Sequence, residues 1–105
     1  MNDSAKPVYR ITDLATEERP RERLLHLGPQ ALAASELLAI LLRVGVPGEN
    51  AVQVGQRLLK DFGGISGLQR APMEDLCNQR GIGEAKAAQI KAAIELGKFK
   101  YGSGD

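Results

Sequence analysis

The chain has 105 residues, 43% of them hydrophobic, with no Trp, two Phe and two Tyr. That inventory implies one small domain with an aliphatic core, and a helical bundle suits it better than a β-sandwich. The formal net charge of +1 lacks the strongly basic balance that marks many nucleic-acid binders, and the single cysteine, Cys77, excludes an internal disulfide. There is no apolar run of about 18 residues and no leader with an apolar h-region, so a reducing, cytoplasmic setting is expected.

Residues 1–16 are polar and aperiodic, with Pro7 and scattered Val8, Tyr9 and Ile11, and are expected to form a flexible N-terminal arm. The helical domain is expected over residues 17–99. A short helix over 21–27 follows Pro20 and ends at Gly28-Pro29, where Gly takes the position after the helix and Pro cannot continue it. Residues 35–42 are apolar at Leu37, Leu38, Ala39, Ile40, Leu41 and Leu42; a helix apolar all round is expected to be central and buried.

Asn50 is placed to cap a further helix, with Gln53 as its capping-box partner. Ala51, Val54 and Leu58, with Gly55, Leu59 and Phe62, fall at helical spacing until Gly63-Gly64 stops the run. A connector of one or two turns spans 65–70. Ala71-Pro72-Met73-Glu74 then restarts the chain, with Pro at the first helical position and an acid in the first turn. Residues 84–97 are an Ala-rich helix, and 100–105 form a polar Gly/Ser tail that reads as a linker to a further domain. The expected architecture is an all-α, compact five-helix domain.

Between Leu76 and the last helix lies Arg80-Gly81-Ile82-Gly83. A glycine-rich turn at a helix N-terminus lets the backbone approach a ligand and leaves the first helical N–H groups without partners, a setting suited to phosphate. The predicted site is Arg80, Gly81, Ile82, Gly83, Glu84, Ala85 and Lys86. Gly81 and Gly83 would adopt backbone angles closed to other residues, N–H groups from Ile82 to Ala85 would meet phosphate oxygens, and carbonyls of the same turn would hold a monovalent cation. Ile82 would plug the space between the helices, and Arg80 and Lys86 would contact neighbouring phosphates. From Cys77 to Tyr101, five cations (Arg80, Lys86, Lys91, Lys98, Lys100) face two anions (Glu84, Glu95), a basic excess expected to surround the turn. Three neutralised phosphates would give a slope of log affinity against log salt of about −2.7.

An echo of this plan occurs upstream, where 42–48 precede the Asn50-capped helix as 79–83 precede the last one. Two helix-hairpin-helix units joined by 65–70 would bury both apolar faces in one body. The segment containing Phe62-Gly63-Gly64, Gly67-Leu68, Ala71, Glu74, Leu76, Gly81-Ile82-Gly83, Ala87 and Ile90 resembles the tandem helix-hairpin-helix domains, similar to SAM-like or RuvA C-terminal domains, of DNA-repair and recombination proteins. Arg19-Pro20-Arg21-Glu22-Arg23-Leu24-Leu25, Gly28-Pro29, Leu32 and the run from Glu36 to Gly45 look like the N-terminal domain of the bacterial RadC family. The match spans roughly residues 11–97.

The resemblance implies a DNA-repair association, backbone contacts that read no base, and a downstream domain similar to the JAB/MPN metalloprotease fold. That domain's His-x-His and distal Asp have no counterpart here, since His26 is the sole histidine. The sequence departs from the helix-hairpin-helix pattern in three places. Gln79 stands where Ile or Leu packs the first helix of the pair. Pro47 and Glu49 remove a donor and add negative charge to the first hairpin, which is expected to be structural. Ala71 replaces the Ser or Thr expected as a cap, at a cost of about 1 kcal/mol.

Several residues carry no functional assignment. Arg19, Arg21 and Arg23 interleave with Glu17, Glu18 and Glu22 as a solvated or capping face. Lys91 and Lys98, with Glu84 and Glu95 nearby, read as a solvated side of the last helix. His26 complements the dipole at a helix end, and Cys77 is a packing residue. No paired carboxylates, metal-ligand spacing, Ser-His-acid set or Walker loop is present, so no catalysis, no resident metal and no membrane contact are expected of this chain. A monomeric, sequence-independent DNA-binding module is the expectation. The alternative is a protein-interaction module that docks a partner or the downstream domain.

Overall fold

The computed structural model describes residues 19–99, and the expected arm (1–16) and tail (100–105) lie outside the described residues. Among these residues six α-helices follow one another: α1 (Arg19–Leu27), α2 (Ala34–Leu42), α3 (Ala51–Phe62), α4 (Gly64–Arg70), α5 (Met73–Cys77) and α6 (Glu84–Gly97), with a 3₁₀ turn at Pro29–Ala31. Among the described residues the only β-type pairing is an isolated bridge between Val46 and Glu49. Among the described residues the fold is all-α, with six helices rather than five. The extra one arises at the diglycine: Gly63 closes α3 in the left-handed region (φ 81°) and Gly64 (φ 90°) turns the chain directly into α4, so the expected connector is a seven-residue helix.

Local sequence accounts for most boundaries. Gly28 (φ 90°) follows α1, its N–H donating to the Leu24 carbonyl at 2.8 Å, and Pro29 opens the 3₁₀ turn. The capping box at α3 forms as expected: Gln53 N–H donates to Asn50 Oδ1 at 2.8 Å and Asn50 N–H to Gln53 Oε1 at 2.9 Å. At α2 only half of such a box exists. Glu36 accepts from the Ala33 N–H at 2.9 Å, and the Ala33 methyl has no acceptor to answer it; Arg23 of α1 steadies Glu36 from the other side. The α5 start corrects the expectation, because Pro72 occupies the capping position and Ala71 belongs to the end of α4.

The core gathers Leu38 and Leu42 of α2, Val54 and Leu58 of α3, Leu68 of α4, Leu76 of α5, and Ile82, Ala87 and Ile90 around and within α6. Each fully buried Leu or Ile contributes about 1.5–3 kcal/mol of transfer free energy. Helices α2 and α3 approach closely at Gly55, where a Cβ would stand 2.7 Å from the Ser35 carbonyl. The central, fully buried α2 expected from its composition is only partly so: Leu38, Ala39 and Leu42 are buried, whereas Leu37 is 37% exposed. No described element covers that side.

Candidate functional site

The sequence places the candidate site in the turn between α5 and α6, and the structure shows how it is built. Gln79 N–H donates to the Leu76 carbonyl at 3.1 Å, and Ile82 N–H to the Gln79 carbonyl at 3.0 Å, closing the turn. Ile82 is 3% exposed and enters the core between α5 and α6, as the plug role requires. Gly81 has φ 85°, and a Cβ there would lie 2.5 Å from Val46 Cγ1, so both conformation and space call for glycine. Gly83 corrects the expectation. Its φ of −98° and ψ of −170° are extended backbone open to any residue, and a Cβ would meet nothing within 4 Å.

The N–H inventory is also narrower than expected. Ile82's donor is used inside the turn, and Ala87 N–H bonds the Gly83 carbonyl at 2.9 Å. Gly83, Glu84, Ala85 and Lys86 present N–H groups at the helix start with no backbone partner among the described residues. Exposed at this edge are Arg80, Gly81, Gly83, Glu84 and Ala85, while Lys86 is half-buried. Glu84 favours the helix dipole, and its carboxylate competes with any incoming phosphate.

The upstream turn, residues 43–50, packs directly on this one, and the joint between them is polar. Arg57 of α3 holds Glu49 in a fork, through Nε to Oε2 at 2.9 Å and Nη2 to Oε1 at 2.8 Å. The same guanidinium donates through Nη1 to Gln79 Oε1 and through Nη2 to the Arg80 carbonyl, each at 2.8 Å. Arg80 in turn donates to the Pro47 carbonyl and lies 3.7 Å from Glu49 Oε1. Gln79, a departure from an apolar pattern, is therefore the acceptor that Arg57 needs, and Glu49 is a tether rather than a defect. The Arg57 bond is the largest influence holding the Glu49 carboxyl below its ordinary value, and Glu49 raises Arg57 in return.

The carbonyls expected to hold a monovalent cation are partly engaged already. The Gln79, Arg80 and Gly83 carbonyls accept from Ile82, Arg57 and Ala87, whereas those of Gly81 and Ile82 accept no backbone hydrogen bond among the described residues. The basic excess is likewise dispersed. Lys91 donates to the carbonyls of Gln69 and Ala71 at 2.6 Å and of Leu68 at 3.2 Å, closing the C-terminal end of α4. It has a structural role, not that of a solvated face. Lys98 pairs with Glu95 at 3.1 Å. Among the described residues, Lys86 is the cation at this edge with no ion-pair partner.

Sequence reasoning missed Arg57, whose partners lie 8, 22 and 23 residues away, and it missed Arg43. The latter ends α2 at φ 73° and ψ −49°, with Val44 N–H donating to the Leu42 carbonyl at 2.8 Å, a strained three-residue turn. Its side chain is exposed on the upstream hairpin. No local sequence signal marks either position.

These features define a small all-α domain in which the turn between α2 and α3 packs against the turn between α5 and α6. A family model described as UPF0758 N-terminal matches residues 11–88, and the chain belongs to the UPF0758 family, consistent with its resemblance to the RadC N-terminal domain. A UPF0758 protein of Roseiflexus castenholzii is 61% identical over 89 residues, covering 85% of this chain and 38% of the relative. Those of Desulfitobacterium hafniense and Clostridium kluyveri are 53% and 49% identical, covering 90% and 95% of this chain and 41% and 45% of the relatives. The chain thus spans about two fifths of the length of the curated relatives it matches. No solved structure matches it.

Proposed function

We propose that this chain is a sequence-independent DNA-binding module, holding a backbone phosphate at the N-terminus of α6. The observation that carries the reading is the conjunction at one exposed edge of unpartnered N–H groups on Gly83, Glu84, Ala85 and Lys86, the tight turn at Gly81, and the Lys86 ammonium in the first helical turn. Arg80 adds charge next to it, half-committed to Glu49 and Pro47. None of these groups reads a base, so recognition is of the sugar-phosphate chain. A setting in DNA repair or recombination follows from the RadC resemblance. The module binds rather than catalyses; any metal-dependent hydrolysis falls to the part of the longer relatives that this chain does not span.

A backbone amide NMR titration with a short duplex, at low and then near-physiological salt, tests the proposal. Signals of Arg80, Gly81 and Gly83 through Lys86 are expected to move first and to return as salt is added. Unmoved signals in a folded domain would overturn it.

A further inference from the structure

We infer that the apolar groove between α2, α4 and α6 is the seat of an apolar helical segment from the polypeptide that follows this domain in the longer family members. The groove encloses about 420 Å³ and is walled by Leu37 and Leu41 of α2, Ile65 of α4, and Ala93 and Ile94 of α6. Its volume lies within the usual range for ligand pockets, about 300–1,000 Å³, yet it lacks the converging polar groups that orient a small molecule. Gln69 and Lys98 are the polar side chains lining it. A wall of aliphatic side chains on three helices matches the apolar face of a further helix, which anchors through residues three and four apart.

The course of the chain says which helix. Gly97 and Lys98, at the end of α6, line the groove, and just beside them Leu96 and Phe99 are each 70% exposed. The family model covers an N-terminal domain, and the matched relatives are more than twice as long as the matched region. A segment that continues from α6 starts at the mouth of the groove, and its covalent tether raises its effective concentration there. The groove lies toward the opposite end of α6 from the Gly81 turn, since 14 helical residues span about 21 Å. Docking there leaves the phosphate edge open, and this inference stands apart from the DNA reading.

The test uses the full-length Roseiflexus castenholzii relative, with Leu37→Glu introduced at the matching position. Leu37 is 37% exposed, and far-UV circular dichroism checks that the domain keeps its fold after the change. Amide hydrogen exchange at positions matching 37–41 and 90–98 is expected to quicken about 10-fold. A new protease-sensitive site is expected beyond α6. Unchanged exchange and an unchanged digest overturn the inference. So does a concentration-dependent dimer in sedimentation that loses its association with the same substitution, which would give the groove to a second copy.

Discussion

Arg57 divides one guanidinium among the Glu49 carboxylate, the Gln79 amide and the Arg80 carbonyl, and so fixes the geometry of both turns. Arg57→Ala leaves those acceptors to find water at a half-buried joint, and a loss of about 2–3 kcal/mol is expected in urea unfolding. Arg57→Lys rescues little, because an ammonium lacks the planar fork. The glycines separate in the same assay. Gly81→Ala combines a positive φ with a 2.5 Å approach to Val46 and is expected to cost about 1–2 kcal/mol, whereas Gly83→Ala is expected to be neutral or slightly stabilising. Acid sensitivity follows from Glu36, lowered chiefly by the Ala33 N–H and then by Arg23, and from Glu49, lowered chiefly by Arg57. Both ionise below the ordinary value of 4.5 when folded, so they bind fewer protons folded than unfolded. Their stabilisation is present above that value and is lost as pH falls through the lowered ones. Urea midpoints should therefore drop below pH 4.5, and a Glu36→Gln, Glu49→Gln double variant should flatten that drop.

At the level of helices, what the sequence discloses depends on how far a partner lies along the chain. Asn50 and Gln53 are three residues apart, and their reciprocal bonds form as the pattern implies. The stops at Gly28 and Gly63 are equally local. Lys91 satisfies carbonyls 20 to 23 residues upstream, a pairing that exists only after α6 has packed against α4. In one dimension it is indistinguishable from any exposed lysine. The polar Gln79, a flaw in an apolar pattern, becomes legible only beside Arg57. Lys91→Met keeps the apolar stem and removes the ammonium, leaving the end of α4 uncapped. A loss of about 1 kcal/mol is expected, with amide exchange quickened in Gly67, Leu68 and Ala71 and unchanged in the first turns of α3. If exchange rises evenly throughout, Lys91 acts on global stability rather than on this helix end.

Across the whole molecule, a net charge of +1 offers little long-range attraction to a polyanion, so any DNA affinity must come from contacts at close quarters. The composition around α6 made the turn appear more basic than it is: Lys91 is drawn to α4 and Lys98 to Glu95, leaving Arg80 and Lys86 at the candidate edge. The turn itself was legible, because glycines before a helix are a local pattern. Its charge was not, because neutralisation depends on folding. The three-phosphate slope of about −2.7 expected from sequence accordingly falls to about −1.8 for two cations. Fluorescence anisotropy with a labelled duplex across a salt series measures it directly. Lys86→Ala should flatten the slope by about 0.9 and weaken all duplex sequences alike. Arg80→Ala should flatten it less, because Glu49 already neutralises part of that charge, and Glu49 itself stays held by Arg57. A slope near zero in the unsubstituted protein would mean that no phosphate is neutralised, and the turn would then serve only to join α5 to α6.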